Sequence, residues 1–464
     1  MKSKYKALMN NTIIFAVGNI LVKLISFILM PLYTVVLTTE QYAVSELLNS
    51  MIEIVLPIAT LCIIESLYRF ALDKETDFSN AFMNALYIIV IGDVIVMCIC
   101  AIVQYVIGYQ YGMAFALLFF ATTFYKLVTQ FARGLGYSKL YASGGVINAI
   151  VLVVVNVILL VVFRGGVREY LLSFSIAYIF AGAFVFILAK EYRYIRFKAG
   201  DLKLLKSMLK YGLPSIPNML AWWINTVSDR YIVMAACGAG AAGLYTVASK
   251  LPALINLVST VFQQAWQYST AKEIENEGRD KFFSEVFHVY APVCYIACGC
   301  LIVCSPFIAK ILFQKEFYSA WRYVPFLLVA ATVGCFSTFF GTFFNAVKKN
   351  MVLMNSTVVG ALINIILNLI LIPKYGVMAA TITTLISYIV VTVIRINCSK
   401  KYVRVEIDIF KDTFSVILLI FEAGMVSFGG EFGCVIGFGM CIILVLLHMR
   451  TLIGVLKNIL CRSI

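Results

Sequence analysis

The chain has 464 residues, of which 62% are hydrophobic and only 13% charged, with a mean hydropathy of +0.95 and a net charge of +14. A soluble domain carries about 25% charged residues, so this chain has too little polar material to cover a water-soluble globule. Soluble enzyme, secreted disulfide scaffold and disordered tail are excluded, and so is a β-barrel, whose segments alternate over about ten residues.

In chain order, the apolar runs predict an all-α polytopic membrane protein with about 14 transmembrane helices. They lie over 10–37, 42–68, 81–106, 112–132, 140–163, 170–189, 212–236, 241–267, 286–312, 320–345, 351–372, 376–396, 412–428 and 432–449. Each is long enough to cross about 30 Å of hydrocarbon. Gly429-Gly430 leaves a re-entrant last pair open. The first run is long, contains Lys23 and lacks a small-residue cleavage site after it, so no signal peptide is expected.

The thirteen cysteines lie mostly inside apolar runs and form no CxxC pair. Only His288 and His448 join them, so no metal site and no cofactor are expected. With both termini in the cytoplasm, nearly all Lys and Arg outside the spans fall on the cytoplasmic side, and Arg133 and Arg395, at the ends of the spans 112–132 and 376–396, count with the cytoplasmic connectors; only Arg164, Arg168, Lys315 and Lys374 fall outside. This is the positive-inside pattern. The positive balance therefore signals membrane orientation, with anionic lipid beside the basic stretch 190–210, and no nucleic-acid partner.

An internal repeat is legible. At an offset of 212, Phe131, Val146, Ala149 and Asn156 meet Phe343, Val358, Ala361 and Asn368. At an offset of 210, Gly166-Val167 meets Gly376-Val377 and Tyr178-Ile179 meets Tyr388-Ile389. The offset spans six helices, an even number, so both halves enter the membrane the same way. The expected organisation is an N-terminal six-helix lobe (1–190), a basic cytoplasmic linker (191–210), a C-terminal six-helix lobe (211–398) and two extra helices with a cytoplasmic tail (399–464). Two pseudo-symmetric lobes around a central cavity is transporter architecture.

Charged groups inside spans cost about 2.5–3.5 kcal/mol each on insertion scales. The cations are Lys23, Lys126, Arg230, Lys250, Lys310 and Arg322; the anions are Glu46, Glu53, Glu65, Asp93, Asp229 and Glu422. Polar stripes recur at helical spacing in the first two helices of each half: Asn19, Lys23, Ser26; Glu46, Asn49, Glu53; Asn218, Asn225, Asp229; and Asn256, Thr260, Gln263, with Lys250 beside them. Such a stripe lines a wet cavity or supplies interhelical hydrogen bonds. Asn19, Glu53, Asn218, Asn225, Asp229 and Asn256 are the candidates for cavity lining or ion coupling.

Several segments carry a family resemblance. They are Asn11…Gly18-Asn19…Lys23…Pro31-Leu32-Tyr33-Thr34 with Tyr42, Arg133-Gly134-Leu135-Gly136, Asp229-Arg230, and Gly243-Leu244-Tyr245…Lys250-Leu251. The chain resembles the polysaccharide-export flippases of the Wzx type, in the superfamily of multidrug-and-toxin exporters and lipid II flippases. Ala43 departs from a usual glycine. The resemblance implies a bacterial plasma-membrane flippase that moves an undecaprenyl-pyrophosphate-linked oligosaccharide outward, working with glycosyltransferases and a polysaccharide polymerase. It also implies a cationic cavity for the pyrophosphate, carried here onto Lys23, Arg230, Lys250 and Lys126. The last two helices resemble the pair that builds a lipid-tail groove in lipid II flippases. A lipid II flippase and an ion-coupled multidrug exporter are the alternatives of the same fold. A membrane enzyme would need a catalytic constellation that no external loop offers, and no GxxxxGK[ST] segment is present for ATP.

Overall fold

The computed structural model describes residues 27–73, 75–196, 200–347 and 349–462. Among them there is no strand; the chain is helical throughout. Contacts divide it into two compact units, Met1–Val227 and Ser228–Ile464.

The first unit contains α1 (Met30–Val36), α2 (Thr39–Ala59), α3 (Ile63–Ala71), α4 (Phe78–Tyr105), α5 (Gly112–Gly134), α6 (Ser138–Asn156), α7 (Val167–Leu188), α8 (Leu202–Gly212) and the start of α9 (Ile216–Cys237). The second contains the rest of α9, then α10 (Ala239–Ala248), α11 (Pro252–Glu273), α12 (Arg279–Leu312), α13 (Val324–Ala346), α14 (Asn350–Tyr375), α15 (Val377–Ser399), α16 (Ile409–Phe428) and α17 (Gly430–Arg462). Most of the predicted helix 10–37, including Asn19 and Lys23, lies outside the described residues.

Ten helical stretches among the described residues are long and apolar enough to cross a membrane, which makes this a multi-pass membrane protein. Three further predicted spans fall short of that mark, for chemical reasons. Helix α9 carries Asn218, Asn225, Asp229 and Arg230; α10 has only ten residues; α16 carries Lys411, Asp412 and Glu422.

Two predicted helices are broken. The span over 42–68 splits at Thr60–Cys62, where Leu61 and Cys62 adopt left-handed backbone at φ 53° and 52°. Pro57 lies one turn earlier; it lacks the N–H that would continue the ladder. The span over 241–267 splits at Ser249–Leu251, and Pro252 begins the next helix, a position where its missing N–H costs nothing. Helix α2 itself starts on a capping box: Gln41 N–H donates to Thr38 Oγ1 and Thr38 N–H to Gln41 Oε1, both at 3.1 Å.

The basic linker is partly helical. Helix α8 docks on the first unit through Ser66 Oγ, which donates to Met208 O at 2.8 Å, and Asn84 Nδ2, which donates to Asp201 O at 3.0 Å. Gly212 closes this contact: a Cβ there would stand 2.8 Å from Cys62 O and 2.9 Å from Leu61 O. Helices α16 and α17 run 20 and 33 residues, and Gly430 turns between them at φ 60°.

Lipid and core faces separate cleanly. On α4, Val90, Ile91, Val94 and Ile95 are exposed on an unpaired apolar face, as expected for a helix bathed in hydrocarbon. In the second unit α13 is the central helix. Its Phe339 stacks on Trp266 with ring centroids 4.4 Å apart, and Tyr290 stacks on Phe262 at 4.2 Å, arrangements worth about 0.5–1.5 kcal/mol each beyond area burial.

Candidate functional site

Buried polar groups in a membrane helix must find partners, because lipid offers none. Each unit holds a buried acid bonded by side-chain donors from other helices.

In the first unit the acid is Glu46, buried on α2. Its Oε1 accepts from Tyr170 Oη at 2.9 Å and from Tyr42 Oη at 3.4 Å. Tyr33 of α1 packs its ring 5.1 Å from that of Tyr170, with its hydroxyl buried. Beside them Ser173 Oγ donates to Asn156 Oδ1 at 3.1 Å, tying α7 to α6.

In the second unit the acid is Asp229, buried on α9. Oδ1 accepts from Asn368 Nδ2 at 2.6 Å, and Oδ2 accepts from Tyr245 Oη at 2.9 Å and Thr384 Oγ1 at 3.0 Å. Asn368 also donates to Asn364 Oδ1 at 3.0 Å and accepts from Thr383 Oγ1. Four helices, α9, α10, α14 and α15, therefore meet at one carboxylate.

The repeat is visible in these bonds. Asn156 with Ser173 and Asn368 with Thr383 are the same amide–hydroxyl pair at offsets of 212 and 210. Both clusters sit where helical hairpins close, near 163–166 in the first unit and 375–377 in the second. What differs is the acid's helix.

The other sequence candidates are placed as follows. Arg230 is half-buried, and its NH2 reaches Ser249 Oγ at 3.4 Å, at the break between α10 and α11. Lys250, also half-buried, is the next residue in that break. The second unit thus brings the two expected cations to one broken turn beside Asp229. Lys126 is half-buried on α5, next to Tyr125, whose ring lies 5.2 Å from that of Tyr178. Glu53 is exposed on α2 and acts electrostatically on Tyr178. Asn225 donates locally to Ala221 O at 2.9 Å, whereas Asn218 and Asn256 are exposed. Trp223 Nε1 donates to Ser50 O at 2.8 Å, pinning the start of α9 to α2.

Sequence reasoning missed the donors of the acids, Tyr170, Tyr245 and Thr384, and it misread one cation. Arg395, expected in a cytoplasmic connector, is buried in the second unit. Its Nε donates to Ser356 Oγ at 3.0 Å, NH1 to Ser337 O at 3.0 Å and NH2 to Thr357 Oγ1 at 2.9 Å. The cue was available, since Ser356 and Thr357 lie together on a neighbouring apolar helix. Arg133, also expected in a connector, stacks its guanidinium 4.6 Å over Tyr68 and 5.3 Å over Tyr141.

Comparisons with known proteins bear on this geometry. The profile of the family described as "Polysaccharide biosynthesis protein" matches residues 8–268, more than half of the chain. A probable low-salt glycan biosynthesis flippase, Agl15 of Haloferax volcanii, is 22% identical over 237 residues, 49% of each chain. An uncharacterised membrane protein of Methanocaldococcus jannaschii is 28% identical over 142 residues, 26% of this chain and 28% of that one. The chain thus spans half or less of the length of these curated relatives. Among solved structures, the lipid II flippase MurJ in an inward closed conformation aligns with a TM-score of 0.67 at 15% identity, covering 95% of this chain and 100% of that one. An outward-facing multidrug resistance MATE transporter aligns with a TM-score of 0.57 at 15% identity, covering 85% and 95%. These likenesses establish the fold.

Proposed function

The chain belongs to the polysaccharide biosynthesis protein family, and from that premise we propose that it is a flippase for lipid-linked glycans. It carries an undecaprenyl-pyrophosphate oligosaccharide from the cytoplasmic to the outer leaflet of a bacterial plasma membrane, with both of its termini inside. The product feeds surface polysaccharide synthesis by a polymerase, downstream of glycosyltransferases. The working lobes in this reading are the repeat units 1–190 and 211–398, joined by 191–210 and followed by 399–464, and transport proceeds by alternating access.

Family membership carries the reading. The residues supply a mechanism in support. Arg230 and Lys250 flank one broken turn, and a guanidinium grips phosphate oxygens in pairs while an ammonium acts as a point charge. Lys126, and Lys23 outside the described residues, complete the set of cations we assign to the headgroup. Moving one charge through the membrane potential is worth about 2.3 kcal/mol per 100 mV. Export of a doubly negative headgroup from a negative interior is therefore favoured by up to about 4–5 kcal/mol per 100 mV.

Asp229 adds a coupling device. Its carboxylate is held by N–H and O–H donors of Asn368, Tyr245 and Thr384, and gain or loss of a proton there would reset all three bonds. Its bond to Tyr245 ties α9 to α10, so its occupancy sets the position of the helix that also bears Arg230.

The test is depletion of the protein in its host, followed by mass spectrometry of extracted lipids. The expected result is build-up of a full-length undecaprenyl-pyrophosphate oligosaccharide with loss of surface polymer. A normal surface without build-up would refute the proposal.

A further inference from the structure

The linker helix α8 has an outer face that the flippase reading does not use. Lys203, Lys206 and Lys210 are exposed and fall within about 60° of one another around the helix axis. Met208 points the opposite way and is fully buried against the first unit, where its carbonyl accepts from Ser66 Oγ at 2.8 Å. Asp201 precedes the helix and caps it by accepting from Lys203 N–H at 2.8 Å. No other acid lies in the stretch 200–215.

Hydrogen bonds fix the depth of α8 in the membrane. Gly200 N–H donates to Asn80 Oδ1 at 3.0 Å, and Asn84 Nδ2 donates to Asp201 O at 3.0 Å. Both asparagines belong to the first two turns of α4, a span of 28 residues. At 1.5 Å per residue α4 is about 42 Å long, about 12 Å more than the hydrocarbon it crosses. With that excess shared between its two ends, about 6 Å stands among the headgroups at each. Asn80 and Asn84 lie about 3 and 9 Å from the start of the helix and bracket that boundary. The start of α8 is therefore level with the lipid phosphates. Leu202 is 82% exposed there, and Tyr211 and Leu213 at the other end are 49% and 43% exposed. Exposed apolar side chains flanking lysines are the mark of a helix lying in the interface. Lysine stems there run along apolar surface while the ammonium groups reach outward.

We propose that the lysine face of α8 is a docking surface for anionic phospholipids of the adjoining leaflet. Each ammonium offers three N–H donors to phosphate oxygens. A headgroup with a net negative charge, such as that of phosphatidylglycerol, keeps the full attraction, whereas the choline of phosphatidylcholine offsets its own phosphate. Lipid held on this face keeps α8 against α3, over the left-handed turn at Leu61 and Cys62 that Gly212 abuts. These lysines are separate from the cations assigned to the cargo, so the surface stands whether or not the flippase reading does.

Native mass spectrometry of the full-length protein, titrated with phosphatidylglycerol, phosphatidylcholine or soluble glycerophosphoglycerol, tests this. A lysine beside an anionic headgroup is worth about fivefold in affinity, so phosphatidylglycerol shared by two of them should bind about tenfold tighter than phosphatidylcholine or more. The triple variant Lys203→Gln, Lys206→Gln, Lys210→Gln should bring the two lipids within about twofold of each other. A control, Lys400→Gln, Lys401→Gln, Arg404→Gln, removes the same charge from other exposed positions and should keep the preference. Equal binding of the two lipids to the wild-type protein would overturn the proposal. So would an equal loss in both triple variants, which would make total charge the cause, and so would soluble headgroup binding as tightly as the lipid. Should the α8 variant fail to fold, hydrogen exchange of the wild-type protein in nanodiscs decides. Peptides within 200–212 must exchange more slowly in phosphatidylglycerol than in phosphatidylcholine, and unchanged exchange refutes the surface.

Discussion

Glu46 and Asp229 are two solutions to the same local problem. Each is a buried carboxylate beside an Asn–hydroxyl pair that the repeat places in both units. Glu46 is bonded by two tyrosines and backed by a third ring. Asp229 is bonded by one tyrosine, one amide and one threonine, with Arg230 as its chain neighbour. Large aromatic donors fill space and make the first cluster a packed joint. Smaller donors help hold the second, and its chain neighbour Arg230 reaches the broken turn at Ser249. A duplicated scaffold thus keeps its amide–hydroxyl pair while the acid moves from α2 to α9.

Paired substitutions break this comparison most directly. Asp229→Asn keeps the shape and removes the charge. It should cut export per folded molecule about tenfold or more, the loss of one charge-assisted bond from the cycle. Glu46→Gln should do the reverse, lowering the unfolding temperature while export per folded molecule stays close to normal. Equal transport losses in the two variants would erase the functional distinction between the clusters.

Next in size is Arg395. Its three described donor bonds tie α15 to α13 and α14, and hydrogen bonds to charged groups contribute about 1.5–3 kcal/mol each. Arg395→Ala should destabilise the second unit by about 3 kcal/mol or more, read as a drop in unfolding temperature in detergent. Arg230→Ala, by contrast, should lower export with a small change in that temperature. A stable Arg395→Ala protein that fails to export would move Arg395 into the transport machinery.

A smaller effect is expected at Gly212. An added methyl there meets two backbone carbonyl oxygens, and neither is the end of a flexible side chain. Gly212→Ala should cost about 1–3 kcal/mol and loosen α8, which proteolysis of the 196–212 segment would report. Unchanged proteolysis would show that α8 does not depend on this contact.

The reach of the sequence differs between these regions for physical reasons. Composition and span length sufficed for the all-α membrane class, because lipid imposes both. The Asn156 and Asn368 match stood out because an amide is rare on an apolar helix. The donors of Asp229 did not, because Asn368 and Thr384 come from helices 139 and 155 residues away. The breaks at Thr60–Cys62 and Ser249–Leu251 were hidden because apolar periodicity runs straight through a short turn; only Pro57 and Pro252 marked them. Arg395 was misplaced because a charge near a span end reads equally as a topology signal and as a buried clamp.

Glu191 sharpens the comparison last, as a buried acid of the first unit with no donor at all. It follows α7 in the short turn Glu191–Tyr194, is fully buried, and neither carboxyl oxygen has a partner among the described residues. Burial pushes its carboxyl up from an ordinary 4.5 to about 9. Below the ordinary value both folded and unfolded chains hold the proton, and pH has no effect through this group. Between the two values the unfolded chain has lost the proton and the folded chain still holds it. The folded state then binds more protons, so stability falls as pH rises. Above the folded value the loss is complete. Glu191→Gln removes this dependence: its unfolding temperature should match wild type near pH 4.5 and exceed it by a margin that widens up to pH 9. A margin that stays constant over this range would mean that Glu191 is ionised in the folded protein and has a partner, which would place it with Glu46 and Asp229 among the satisfied acids.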